Sequence, residues 1–133
     1  MTNSSSLRTG LLIAASALML FGAAGNALGV VPDLHGDLVE IGVRPSVLNT
    51  TVFHLYMGVM AQLAFAVIAA ASAFESMKGR IPARVPLAVI AIVHTITGAV
   101  PFSRSHNPHH LGPILMAVLL VAAIAVPAAG GRR

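Results

Sequence analysis

Four long runs of apolar residues, separated by short polar segments, dominate the hydrophobic pattern of the chain. The runs cover residues 7–31, 51–74, 84–102 and 111–129, and none of their interiors contains Asp, Glu, Lys or Arg. Each run reaches or approaches the ~20 residues that a helix needs to cross about 30 Å of hydrocarbon. The first run is longer than the apolar core of a signal peptide, so we interpret it as a retained helix. The pattern predicts one all-α domain over residues 1–133, an integral membrane four-helix bundle.

Composition supports the membrane class. Hydrophobic residues make up 56% of the chain and charged residues only 9%, with a mean hydropathy of +0.86; a soluble domain carries roughly 25% charged residues. The absence of Cys excludes a disulfide framework, a thiolate metal site and a Cys nucleophile. The net charge of +4 comes from only 8 Lys and Arg, which lie near the ends of the apolar runs. We therefore expect a lipid bilayer, and no nucleic acid, as a partner.

The positions of the basic residues predict the orientation. With the N-terminus in the cytoplasm, six basic residues lie inside and two, Arg44 and Arg104, lie outside, as the positive-inside rule requires. We expect an N-in, C-in topology, in a bacterial inner membrane, with outer segments at 32–50 and 103–110 and an inner turn at 75–83. The six inner residues are Arg8, Lys78, Arg80, Arg84, Arg132 and Arg133.

Polar residues concentrate towards the outer side of this topology. All six histidines lie at or above the predicted midplane, together with three of the four acidic residues. This one-sided distribution indicates that any binding site or chemistry is built near the outer face. The residues concerned are His35, His54, His94, His106, His109, His110, Asp33, Asp37 and Glu40.

His54 is the first candidate for chemistry. A histidine inside a membrane span is a functional hypothesis by default, with an interhelical hydrogen bond as the alternative. Met57, Gly58 and Ala61 follow it at spacings of three, four and seven residues, which place an apolar face of small residues below the imidazole. Such a face suits a haem whose iron takes the imidazole and whose porphyrin lies along the helix.

His94 is the second candidate and lies in the middle of the third run. Thr95 and Thr97 provide polar groups nearby, which favours a structural role for His94 more than for His54. If haem is present, a bis-His electron-transfer site that uses both imidazoles is a further option.

The segment His106-Asn107-Pro108-His109-His110 resembles one histidine box of the membrane di-iron hydroxylases. Those enzymes assemble several boxes, whereas this chain has one box. We therefore favour a loop that binds adventitious metal or caps the fourth helix, in agreement with the prolines near that helix start.

Several short motifs occur in order along the chain: Leu20-Phe21-Gly22, Asn26, Gly29, Val31-Pro32, Glu40, His54, Asn107-Pro108 and Leu111-Gly112-Pro113. In this order they resemble the styrene oxide isomerase family, small four-helix membrane proteins that bind haem b through one histidine at the start of the second helix. The resemblance implies that His54 is the axial ligand and the metal-binding residue. It also implies that ferric haem acts as a Lewis acid, which opens a hydrophobic epoxide to a carbonyl compound without net redox change.

The chain departs from the family pattern at the residues that orient the substrate. The family has an Asn about two turns after its histidine, where Met60 and Ala61 stand here, and a Tyr on the third helix. The single tyrosine of this chain lies on the second helix instead. The candidates for a substrate-orienting role are Asn26, Tyr56, His94 and Thr97.

Two classes of function stay open, so the enzyme assignment does too. One is the haem-dependent isomerase or a haem-binding relative. The other is a non-catalytic membrane subunit, carrier or assembly factor in which His54 and His94 tie helices together. Arg44 and Arg104 are candidates to pair with haem propionates, or are ordinary flanking charges. The small-residue faces exceed what one bundle needs, which predicts a homo-oligomer.

Overall fold

The computed structural model describes residues 3–127, and this part of the chain is built from helices without strands. Four helical stretches are long and apolar enough to cross a membrane, which confirms the four predicted spans and indicates a membrane protein. The elements are α1 (Asn3–Gly25), a π-helical turn (Asn26–Val30), α2 (Val31–Glu40), α3 (Pro45–Met77), α4 (Arg84–Ser105), a 3-10 turn (Pro108–His110) and α5 (Leu111–Ala125).

The expected outer loop at 32–50 is wrong, because most of it is helical. The first span continues through the π-helical turn into α2, and α3 begins at Pro45. Pro32 lies directly after the π-helical turn, in the first turn of α2, and has no N–H to donate to the preceding turn. The N–H of Val31 bonds the carbonyl of Asn26, one residue further back than in an α-helix, so the helix shifts its register ahead of the proline.

The other helix ends also differ from the expected bounds. α3 runs to Met77 rather than 74 and stops where Gly79 takes a left-handed conformation with φ 77°. The Arg80 N–H bonds the Glu75 carbonyl across this end, at 3.0 Å, as in a Schellman motif. α4 continues from 102 to Ser105.

α5 ends at Ala125, short of the expected 129. Val126 is extended, with ψ 120°, because it precedes Pro127, and a residue before proline is disfavoured in the α region. Residues 128 and 129 lie outside the described part of the chain.

α1 is the central helix of the bundle. It packs along α3 on one side and along α5 on the other, and α4 packs on α5, while α3 and α4 approach each other little. The side chains of this core are mostly alanine and aliphatic, and small residues let helices pack closely. The buried core consists of Leu12, Ala15, Met19, Ala66, Ala69, Ala73, Leu87, Ile90, Ala91, Met116, Ala117, Leu120 and Ala123.

Polar contacts join α1 and its continuation to α3 at three depths. Thr9 Oγ1 donates to Ser76 Oγ at 3.0 Å, and Ser16 Oγ donates to the carbonyl of Ala66 at 2.9 Å. Near the end of the first span that is remote from Arg8, the Asn26 amide donates to Gln62 Oε1 at 3.3 Å. Hydrocarbon offers no hydrogen-bond partners, so these bonds satisfy polar groups that would otherwise be costly.

The start of α1 meets the end of α5. The guanidinium of Arg8 is buried and donates to the carbonyls of Val126 and Pro127. Both ends of the described chain therefore lie on the same side of the bundle. The N-in, C-in assignment also uses Arg132 and Arg133, which lie outside the described residues.

Two continuous helical stretches, Ser4–Glu40 and Pro45–Met77, are longer than a bilayer is thick. The 33 residues of α3 extend over about 50 Å, roughly 20 Å more than the hydrocarbon core. α2 packs back on α3, and Gly42, with φ 72°, closes the turn between them. The pair forms a helical hairpin beyond the spans on the side opposite Arg8. Within the four spans, only 22–28% of the most apolar windows is buried, so most of their apolar surface faces outward.

The closest helix approach yields the first prediction. A Cβ at Gly98 of α4 would lie 2.9 Å from the His110 carbonyl oxygen and 3.0 Å from the Ile114 backbone nitrogen. Because backbone atoms cannot give way cheaply, we expect Gly98→Ala to destabilise the bundle by about 1–3 kcal/mol. The control is Gly10→Ala on α1, where a Cβ meets nothing within 4 Å. Thermal unfolding in detergent checks this, and an equal Tm for both variants would contradict the close α4–α5 contact.

Candidate ligand site on the second span

His54 lies on the exposed surface of α3, in the N-terminal third of the helix. Its Nδ1 is 2.8 Å from the carbonyl oxygen of Thr50, one turn earlier on the same helix. A carbonyl only accepts hydrogen bonds, so Nδ1 carries the proton and the lone pair of Nε2 is free. Metal-binding histidines show this arrangement, in which one ring nitrogen donates to a carbonyl and the other binds the metal.

The face below His54 is open and apolar. Met57, Gly58 and Ala61 are exposed, and a Cβ added at Gly58 would meet nothing within 4 Å. The structure therefore brings together the four residues that the sequence grouped on α3. Their face points outward from the bundle, so the protomer leaves it uncovered.

His94 has the opposite environment. It is 5% exposed, lies between the helices of the bundle, and contacts the edge of the Phe65 ring with centroids 5.9 Å apart. Its Nε2 is, in the part of the chain that the structure describes, the one buried side-chain nitrogen or oxygen without a hydrogen-bond partner. A polar atom left unpaired in an apolar interior is costly and is often retained for function.

The two imidazoles lie at different depths. Phe65 follows His54 by eleven residues, a rise of about 16 Å along α3, and His94 packs against Phe65. This arrangement does not bring them to one metal position. Neither ring makes a hydrogen bond to another helix among the described residues, since His54 bonds only its own helix.

Asn26 belongs to a half-buried amide pair with Gln62. Gly22 leaves room for this pair, because a Cβ at Gly22 would overlap the Gln62 amide nitrogen. The sequence pattern did not single out Gln62. Its signal is that it is the only glutamine in the chain and interrupts an apolar run.

The other candidates are dispersed. Thr97 is exposed and donates its hydroxyl to the carbonyl of Val93 at 2.9 Å. Tyr56 is also exposed, about 160° around α3 from His54. Arg44 precedes α3, and Arg104 lies in the last turn of α4.

The histidine-rich segment forms a helix connection. His106 ends α4 in the left-handed conformation, with φ 52°, and the Asn107 side chain accepts the His109 N–H at 3.0 Å. This contact caps the 3-10 turn that leads into α5, whereas α5 itself begins without a side-chain cap. Within residues 3–127, no three His, Cys, Asp or Glu side chains are grouped to hold a metal ion.

Two sets of side chains thus stand out for chemistry: the exposed His54 face, and the buried and half-buried polar groups of His94, Asn26 and Gln62. The first has a free nitrogen beside open space, and the second has hydrogen-bonding capacity inside an apolar bundle. The chain matches no protein-family model, no curated protein and no solved structure.

The unpaired nitrogen of His94 gives a testable contrast with Gln62. We expect His94→Leu to leave stability unchanged or to raise it, because the change removes a buried polar atom without a partner. Gln62→Leu leaves the Asn26 amide without its acceptor and should destabilise by about 1–3 kcal/mol. Thermal unfolding of both variants in the same detergent measures the difference. A larger loss for His94→Leu would show that the imidazole is bonded within the bundle.

Proposed function

We propose that the chain is an integral membrane protein, N-in and C-in in a bacterial inner membrane, that binds haem b through His54. The observation that carries this proposal is the state of the imidazole. Its Nδ1–H donates to the Thr50 carbonyl, which leaves Nε2 available to bind a metal beside an open apolar face. A structural histidine would direct this nitrogen to a partner on another helix.

The residues on the His54 face of α3 fit a haem. Imidazole is a common axial ligand of haem iron. Gly58 and Ala61 project little beyond the helix backbone, so a flat macrocycle can lie along α3, and Met57 adds apolar surface beside it. His94 lies at another depth, so this chain supplies one ligand from this face.

The proposed activity is the isomerisation of a hydrophobic epoxide to a carbonyl compound, as the resemblance to styrene oxide isomerases implies. When bound, ferric haem supplies a Lewis acid for the epoxide oxygen, with no net redox change. The protein holds the ligand nitrogen in place through Thr50 and lines one side of the site with apolar side chains. These favour substrates that partition into the bilayer.

The outward position of His54 favours a homo-oligomer. A group bound by His54 would lie beyond the surface of the protomer, because this face of α3 is exposed. A second copy of the chain would cover it and exclude water. Phe53, Tyr56, Met57 and Met60 leave large apolar surfaces exposed around His54 and provide contact area for such a copy.

The amide pair of Asn26 and Gln62 is proposed to orient the substrate oxygen. His94 is less suited, because it is buried within the bundle and lies about 16 Å in depth from His54. Gln62 follows His54 by eight residues and provides an amide in the region where the family has one, with Asn26 as its partner. Thr97 is less suited, because its hydroxyl proton is used by the Val93 carbonyl, and Tyr56 lies on another flank of α3.

Arg104 is the better-placed cation for haem propionates. His54 lies 23 residues before the end of α3, about 35 Å above it, and Arg104 lies 20 residues after the start of α4, about 30 Å above it. The turn at 78–83 joins these two helix ends, so the two residues are at similar depths. Arg44 is about 15 Å further out along α3.

The ligand assignment is tested by the haem content of protein purified from haem-replete cells. We expect a Soret band in the wild type, its loss in His54→Gly, and its return when free imidazole is added to that variant, since imidazole can replace the missing side chain. His35→Ala, an exposed histidine of α2, is the matched control and should keep the band. A colourless wild type, or full haem content in His54→Gly, would favour the non-catalytic alternative.

The activity is tested with an aromatic epoxide and detection of the aldehyde. We expect Gln62→Leu to retain haem but to lower kcat/KM by about ten- to a hundredfold, the effect of losing a hydrogen bond worth about 1.4–2.8 kcal/mol in the transition state. Thr97→Val should keep activity within about twofold, a barrier change below 0.5 kcal/mol. Haem without aldehyde formation in the wild type would exclude the isomerase and leave electron transfer.

A further inference from the structure

A cavity lies at the end of the bundle opposite α2, where the starts of α1 and α4 meet the end of α5. It is a shallow cavity that is open to the surroundings. Arg8 and Arg84 line one part of it, and aliphatic side chains, including Leu87 and Ile124, line the rest. The cavity therefore combines two guanidinium groups with an apolar wall.

Arg8 is an unusual residue for this position because it is 6% exposed and charged. Its guanidinium donates to the carbonyls of Val126 and Pro127, just beyond the last turn of α5. Carbonyls at a helix C-terminus carry partial negative charge and stabilise a cation there. They satisfy part of the five-donor fork of Arg8 but do not neutralise its full charge.

No acidic side chain neutralises this pair of arginines. The whole chain has four Asp and Glu residues, and Glu75 is engaged by Arg80 at 3.1 Å and by Lys78 at 4.0 Å. The other three lie on α2, which begins 23 residues after Arg8, about 35 Å along the first span. The cavity thus holds an excess of positive charge beside apolar surface.

We propose that this cavity binds the phosphate group of an anionic phospholipid. Guanidinium groups recognise phosphate oxygens with charge-assisted hydrogen bonds, and basic pockets between membrane helices on the cytoplasmic side bind anionic headgroups. The phosphate contacts Arg84 and the spare donors of Arg8, and an acyl chain lies along the half-buried Ile124. This site is independent of His54, so it stands or falls separately from the proposed function.

The test uses the delipidated full-length protein in detergent, with its thermal stability measured as lipid is added. Phosphatidylglycerol is expected to raise the Tm, and phosphatidylcholine, whose headgroup has no net charge, is expected to have much less effect. Arg84→Gln should weaken the apparent affinity for phosphatidylglycerol about tenfold. Arg84 is exposed, and its side chain makes no hydrogen bond or ion pair in the described structure, so this variant should fold.

Arg44→Gln is the matched control, since it removes one exposed arginine just before α3, at the opposite end of the bundle. It should leave the response to phosphatidylglycerol unchanged. An equal loss of apparent affinity for phosphatidylglycerol in both variants, or no loss in Arg84→Gln, would contradict the proposed site. Inorganic phosphate added alone separates the two sources of the anion: stabilisation equal to that by phosphatidylglycerol would overturn the lipid assignment, and a weaker effect would support it.

Discussion

The lack of hydrogen-bond partners in hydrocarbon governs this structure. Polar side chains in the spans must find acceptors or donors inside the protein. Several bond a carbonyl of their own helix, and others join α1 and its continuation to α3. Thr9 bonds Ser76, Ser16 bonds a backbone carbonyl, and Asn26 bonds Gln62. Small residues such as Ala66 and Ala69 bring the two helices close enough for these bonds. Against this background, an imidazole without a partner on another helix calls for a functional explanation.

Both span histidines meet that description, in different ways. His54 bonds only its own helix and offers Nε2 to the outside, whereas His94 is buried with Nε2 unpaired. The first position suits a ligand that lies on the protein surface and is covered by another copy. The second is enclosed by the bundle, where an unpaired nitrogen is costly. The helix that carries His54 also carries Gln62, so α3 links the proposed ligand face to the half-buried amide pair.

The periodicity of the sequence was sufficient for the four spans, since each is an uninterrupted apolar run. It failed at 32–50, because polar side chains and Pro32 suggest a loop when the neighbouring helix is not known. The π-helical turn that admits Pro32 depends on local register, which composition does not encode. The face of His54 could be predicted, because helical spacing alone places Gly58 and Ala61 below it. The pairing of Asn26 with Gln62 and of Arg8 with the end of α5 could not, because those partners are distant in sequence and meet only through helix packing.

The most direct test of the central claim is the electron paramagnetic resonance spectrum of the purified ferric protein. One imidazole from this chain and an open position opposite it predict a high-spin, five-coordinate haem signal that is absent in His54→Gly. A low-spin signal typical of two histidine ligands would contradict the single-ligand site. If protein purified from haem-replete cells gives no haem iron signal, the assignment of His54 as a ligand is contradicted altogether.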